Sequence, residues 1–162
     1  MEIAQKFIDL GVNEAFVTFI ISMLPVVELR LAIPVGVSLG LPIWKAALIS
    51  IVGNLLPAPF IIAFIRTVMD WLKGRGWLKG FVAWLENKAK GAKADRVRRY
   101  EFWGLLILVA IPLPGTGAWT GSLIAALLDI RMRRALPPVF VGVLIAALLV
   151  SLATAGVIRL VV

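Results

Sequence analysis

The chain of 162 residues contains no cysteine and no histidine. The first absence excludes disulfides, thiolate metal sites and thiol redox chemistry. The second removes the commonest metal ligand and the commonest general base. No cofactor or metal is therefore expected. An enzyme is the least favoured class, because no carboxylates pair near one break and no nucleophile elbow is present. Acidic residues are also scarce, 9 against 17 Lys and Arg, which gives a net charge of +8.

Apolar residues are abundant. They make up 61% of the chain, and the mean hydropathy is +0.99. A soluble domain holds about 45–50%. These values predict an all-α integral membrane protein with a single membrane domain. In such a protein excess Lys and Arg mark cytoplasmic loops and anionic lipid contact rather than nucleic acid. A multi-pass protein of a prokaryotic cell membrane, with its basic loops cytoplasmic, is the expected localisation. Met1–Gln5 lacks the basic stretch that opens a signal peptide.

Ala110–Ser122, AIPLPGTGAWTGS, places two prolines and three glycines in the middle of an apolar region. A helix cannot run through them unbroken. The apolar arms on either side, Phe102–Ile111 and Ser122–Leu128, each span only about half of a bilayer core. The segment is thus expected to enter the membrane and return on the same side. Irregular backbone at that depth is tolerated where protein buries it or where it lines a cavity, so transport sites are sought there.

The same order of elements occurs earlier in the chain. Phe16–Leu24 is an apolar arm, Pro25–Pro34 (PVVELRLAIP) an extended tip carrying two charges, and a second arm ends near Leu41. Ala46–Ile65 and Pro137–Ile158 are full crossings. Writing Met23-Leu24-Pro25 over Ala110-Ile111-Pro112 gives an offset of 87, and Gly53 over Gly142 gives 89. The expected architecture is an inverted repeat of two units, each a re-entrant helical hairpin followed by a transmembrane helix. Residues 1–65 form the first unit, opening with an amphipathic surface helix over Met1–Glu14, and residues 102–162 form the second. Residues 66–101 form a basic linker, in which Leu78, Phe81, Val82 and Leu85 mark an amphipathic interfacial helix. Re-entry gathers 13 of the 17 basic residues on one face, as the positive-inside rule favours.

Glu28 and Arg30 are charges expected near the midplane, where each costs several kcal/mol unless protein or water surrounds it. One residue apart in an extended tip, they would project to the same side. They read either as an ion pair that locks the hairpins together, or as an anion ligand (Arg30) beside a charge-balancing or proton-accepting group (Glu28). The second tip offers Gly115, Thr116, Gly117, Trp119, Thr120 and Ser122. These supply backbone N–H groups, hydroxyls and an indole donor. A half-helix starting near Gly117–Ala118 would aim its positive end at the membrane centre, where it favours anions. Asn54, near Pro57 and Pro59, would kink the first crossing and bond to a tip.

PVVELRLAIPVG (25–36) and IPLPGTGAWTGSLIAALL (111–128) together resemble the putative small multidrug export protein family, which is related to the wider DedA-like (VTT/SNARE-associated) membrane superfamily. The resemblance implies two re-entrant hairpins whose tips face each other, and lipid handling by scrambling or by proton-coupled flipping. The family's name implies drug export. Glu28 matches the acidic residue of the first hairpin of DedA-like proteins. The arginines that those flippases carry around the second hairpin have no counterpart between Phe102 and Leu128.

The expected function is a small transporter or lipid translocase for an amphiphile or lipid with an anionic head group, acting through a midplane site between the tips. Two alternatives stand beside it: a proton-coupled exporter of cationic drugs, and a non-transporting membrane scaffold. Membrane lipids are the expected partners, with protons as a coupling ion and a homodimer as the assembly.

Overall fold

A computed structural model describes residues 13–74, 80, 100–113 and 115–161. The proposed surface helix over residues 1–14 and the amphipathic linker helix lie almost wholly outside these residues. Seven helices are described: α1 (Glu14–Met23), α2 (Glu28–Ser38), α3 (Ile43–Leu55), α4 (Pro57–Gly74), α5 (Glu101–Ala110), α6 (Ala118–Leu127) and α7 (Met132–Val161).

Proline stops the first helix of each hairpin. A residue before proline is pushed out of the helical region. Leu24, ahead of Pro25, has ψ 134°, and Ile111, ahead of Pro112, has ψ 122°. The helices they close, α1 and α5, are both ten residues long and begin with a glutamate in the first turn. Glu101 lies 87 positions after Glu14. Asn13 caps α1 by accepting the Ala15 N–H at 2.8 Å.

The second helix of each hairpin closes alike. Leu41 N–H donates to the Gly36 carbonyl (3.0 Å) and Gly40 N–H to the Val37 carbonyl (3.0 Å). At positions 89 further on, Ile130 N–H donates to Ala125 (2.9 Å) and Asp129 N–H to Ala126 (3.1 Å). Both ends are Schellman motifs. Gly40 has φ +100° and Asp129 φ +55°. The next helices begin at Ile43 and Met132, again 89 apart. The change from 87 to 89 falls at the tips, where residues 111–117 are longer than residues 24–27.

Side-chain packing follows the same offsets. A Cβ at Gly53 would run into Ser22 and the Phe19 carbonyl of α1, and one at Gly142 would run into Val109 and the Leu106 carbonyl of α5. Ser22 and Val109, like Phe19 and Leu106, are 87 apart. Glycine at 53 and 142 lets each long helix lie directly on the first helix of its hairpin. Helix α1 packs on α2 and α3, and α5 on α6 and α7. Across the molecule, α4 packs on α6 while α7 packs on α2 and α3. The central core includes Leu29 with Ala118 and Ala58 with Ala147, pairs that are each 89 apart.

The surface identifies the solvent. Phe60, Phe64, Leu148 and Leu152 are more than half exposed, whereas Thr18, Ser22, Ser50, Asn54 and Ser122 are fully buried. A protein with apolar residues outside and polar ones inside is built for lipid. Two helical stretches, Ile43–Val68 and Met132–Leu160, are long and apolar enough to cross a membrane. The ten-residue helices α1, α5 and α6 are apolar but reach only about 15 Å each.

Two sequence expectations, both at the tips, need correction. Pro25–Pro34 is not an extended tip: α2 already begins at Glu28 and carries Pro34 inside it. The second break is Ile111–Gly117 rather than Pro112–Gly121, because Ala118, Trp119 and Thr120 already lie in α6. The first crossing, Ile43–Val68, carries the expected irregularity at Leu56, because Pro57 has no N–H to carry the hydrogen-bond ladder onward.

Candidate functional site

The hairpin tips meet, and they hold each other through exposed backbone groups. Helix α6 begins at Ala118 with unsatisfied amides and no side-chain cap of its own. Glu28, from the other hairpin, supplies the cap. Its Oε1 accepts the Trp119 N–H at 3.2 Å, and the Ala118 amide faces the same carboxylate. A negative group at a helix N-terminus is favoured by the helix dipole as well as by the hydrogen bonds. The end of α6 thus holds the protein's own carboxylate, at the point where the sequence suggested room for a substrate anion.

Glu28 reaches this place through its backbone. It has φ +49°, unusual for a side-chain-bearing residue. Glu28 and Gly117, 89 positions apart, face each other across the two tips. A Cβ at Gly117 would overlap the Glu28 carboxylate. One position keeps a carboxylate, and the other must remain bare to admit it.

Arg30 and Trp119, also 89 apart, make reciprocal bonds. Arg30 donates through Nη2 to the Ile111 carbonyl (3.0 Å) and to Thr116 Oγ1 (2.8 Å), and through Nη1 to the Thr116 carbonyl. Trp119 Nε1 donates to the Met23 carbonyl at 3.0 Å. Each hairpin thus receives a side-chain donor from the other at the carbonyl end of its first helix. Thr116 Oγ1 also donates within its own tip, toward Ile111 and Leu113.

Arg30 Nη1 lies 3.7 Å from Glu28 Oε2. The two approach because Glu28 turns at its positive φ, not by strand alternation. Glu28 is 2% exposed and the Arg30 side chain 16%. A buried pair is stabilised when further hydrogen bonds reach both charges; here the opposite tip supplies them to the carboxylate and to both terminal nitrogens of Arg30, while Arg30 Nε has no partner among the described residues.

The other candidate residues divide. Asn54 lies beside the Glu28 carboxylate, although neither of its amide atoms closes a hydrogen bond of standard geometry. Gly115 is an exposed turn residue with φ +79°. Ser122 is fully buried one turn below Ala118, and its hydroxyl has no partner among the described residues. Thr120 is partly buried and joins none of these contacts.

Beside the tips lies a groove of about 580 Å³, between α2 and the second half of α7. Pro34, Val37, Leu149, Ala153 and Val157 form its apolar walls, with Pro112 and Arg30 toward the tips. Among the described residues, Arg30 is the one charged residue lining it. The volume is in the range of small-molecule sites. The α7 wall went unnoticed in the sequence. Leu149, Ala153 and Val157 recur every four residues and so share one face, but in a wholly apolar helix that spacing does not distinguish a groove from a lipid contact.

The family described as "Putative small multi-drug export protein" matches residues 28–149, from the Glu28 carboxylate to the first groove residue of α7. No curated protein and no solved structure matches the chain. The matched span runs from the start of α2 through α6 and into α7, well over half of the chain, which therefore belongs to the putative small multi-drug export protein family of membrane proteins.

Proposed function

We propose that the protein translocates an amphiphile with an anionic head group, whose tail lies in the groove between α2 and α7 and whose head meets Arg30. The observation that carries this reading is the charge distribution of the groove: apolar walls with one cation at the inner end. Glu28, the nearest carboxylate, is occupied by the amides of α6 and closed off from the groove. A cationic drug would find an arginine where it needs an acceptor. The family's name supports export in general and does not decide the charge of the cargo.

In this reading the chain is an inverted duplication with two re-entrant hairpins. The 87- and 89-residue correspondences support the duplication, and the short helices α1, α5 and α6 support re-entry. Inversion then places the loop at residues 39–42 on the external face and the loop at residues 128–131 on the cytoplasmic face with the basic linker. Arg30 positions the head group. Glu28 balances its charge and, with Asn54 beside it, is the group placed to accept a proton when the tips part.

Wild-type protein in liposomes is expected to move a fluorescent single-chain phosphate amphiphile at least tenfold faster than its trimethylammonium analogue. Equal rates, or preference for the cation, would reject the assignment of charge.

A further inference from the structure

The open groove has a counterpart that is shut. Shifting its walls by 89 residues replaces α2 by α6 and the second half of α7 by α4, and these helices also pack together. There, Ile62 is fully buried in a cluster with Leu105, Ala125, Ile130 and Ala135. Arg66, one turn further along α4, donates through Nη2 to the Ile130 carbonyl and lies 3.5 Å from Asp129 Oδ1.

The open side lacks the residues for such a closure. The counterparts of Ile62, Arg66 and Asp129 are Ser151, Ala155 and Gly40. Alanine and glycine can form no latch, and the Ser151 hydroxyl has no partner among the described residues. The difference between the two sides is therefore written in the sequence, and it concerns residues that can engage and release. Asp129 is 87% exposed, so solvent competes for its half of the latch. Arg66 Nε is buried without a partner, which leaves the guanidinium with donor capacity to spare.

We propose that α4 and α6 bound a second groove for the same anionic amphiphile, closed in this structure by Ile62 and by the Arg66 latch on Ile130 and Asp129. When the latch releases, the Arg66 guanidinium becomes the head-group ligand on the side of the basic loops, as Arg30 is on the other. The two grooves, each with one arginine, are the two ends of one path. The occupant's identity rests on the function proposed above; the existence of the latch does not.

The chain has no native cysteine, so single thiols report accessibility directly. Ala125→Cys sits in the sealed cluster, Thr154→Cys in the open groove, and Ala46→Cys in the fully buried counterpart of the Ala135 site. Each is labelled with a water-soluble maleimide, with and without Arg66→Ala. Arg66→Ala is expected to raise the labelling rate at position 125 at least tenfold and leave position 46 unreactive. An unchanged rate at 125 overturns the proposal. An equal rise at 46 also overturns it, because Arg66 would then hold the whole fold rather than a gate. Dodecyl phosphate added to the otherwise unsubstituted Ala125→Cys and Thr154→Cys proteins separates the two readings. Protection at 154 with a raised rate at 125 supports both. A latch that opens on Arg66→Ala but ignores dodecyl phosphate leaves the gate standing and removes the anionic substrate.

Discussion

Gly117→Ala is expected to be among the most damaging single-methyl additions in the chain. Gly117 has φ +130°, a conformation that costs an L-residue about 1–3 kcal/mol. The added Cβ would also occupy the space of the Glu28 carboxylate. Expelling that carboxylate removes a charged hydrogen bond at the start of α6, worth about 1.5–3 kcal/mol. Together these come to about 2.5–6 kcal/mol, a fall in melting temperature on the order of 10 °C for a protein of this size. Gly115→Ala is the control. Gly115 also has positive φ, +79°, but no described residue beyond its neighbours lies within 4 Å of its added Cβ. It should lose about 1 kcal/mol, close to the ordinary cost of a left-handed residue. Scanning fluorimetry of the detergent-solubilised variants measures both. Equal losses at 115 and 117 would mean that contact between the tips contributes little.

Arg30→Gln is expected to have the largest effect on transport. Arg30 is the one charge lining the groove among the described residues and also ties the tips through Ile111 and Thr116. Loss of a charge-assisted hydrogen bond of about 1.5–3 kcal/mol corresponds to a fall of roughly 10- to 150-fold in affinity for the anionic head. Selectivity over a neutral amphiphile should disappear with it. Arg30→Lys separates the two roles. Lysine keeps the charge but not the planar fork that reaches two carbonyls and a hydroxyl. It should retain anion selectivity while the melting temperature and rate fall. Vesicle translocation of phosphate and neutral amphiphiles provides the readout. If Arg30→Gln keeps full selectivity, Arg30 is a strut between hairpins and nothing more.

Much of this architecture could be read from particular residues. Pro25 and Pro112 mark the hairpin tips because proline disfavours helical backbone in the residue before it, and Leu24 and Ile111 both leave the helix there. The offset of 87 between them is the offset of α1 and α5, and the offset of 89 between Gly53 and Gly142 is that of α3 and α7. Local chemistry sets both, so sequence alone displays them. The start of α2 was misplaced for the opposite reason. Glu28 enters that helix with φ +49°, a conformation maintained by its carboxylate reaching α6 some 90 residues away, and no local signal announces it. Glu28, Arg30, Thr116 and Trp119 stood out as polar groups in apolar surroundings, and they do converge. Their pairing was not legible, because the bonds go to backbone groups at Met23, Ile111 and Thr116, which any residue type could supply. The Arg66 latch was hidden similarly. Its main acceptor is a carbonyl, and Arg66 stands at the start of the basic linker, where one more arginine draws no notice.

The account depends most on both hairpins turning back within the membrane. Single cysteines at the exposed positions Asn13, Pro42, Tyr100 and Arg131 test this when labelled in intact cells with a membrane-impermeant maleimide. Residues 13 and 42 should label together from outside, and residues 100 and 131 only after the cells are permeabilised. Labelling of 13 and 42 from opposite sides, or of 100 and 131 from opposite sides, would show that a hairpin crosses the bilayer and would contradict the account.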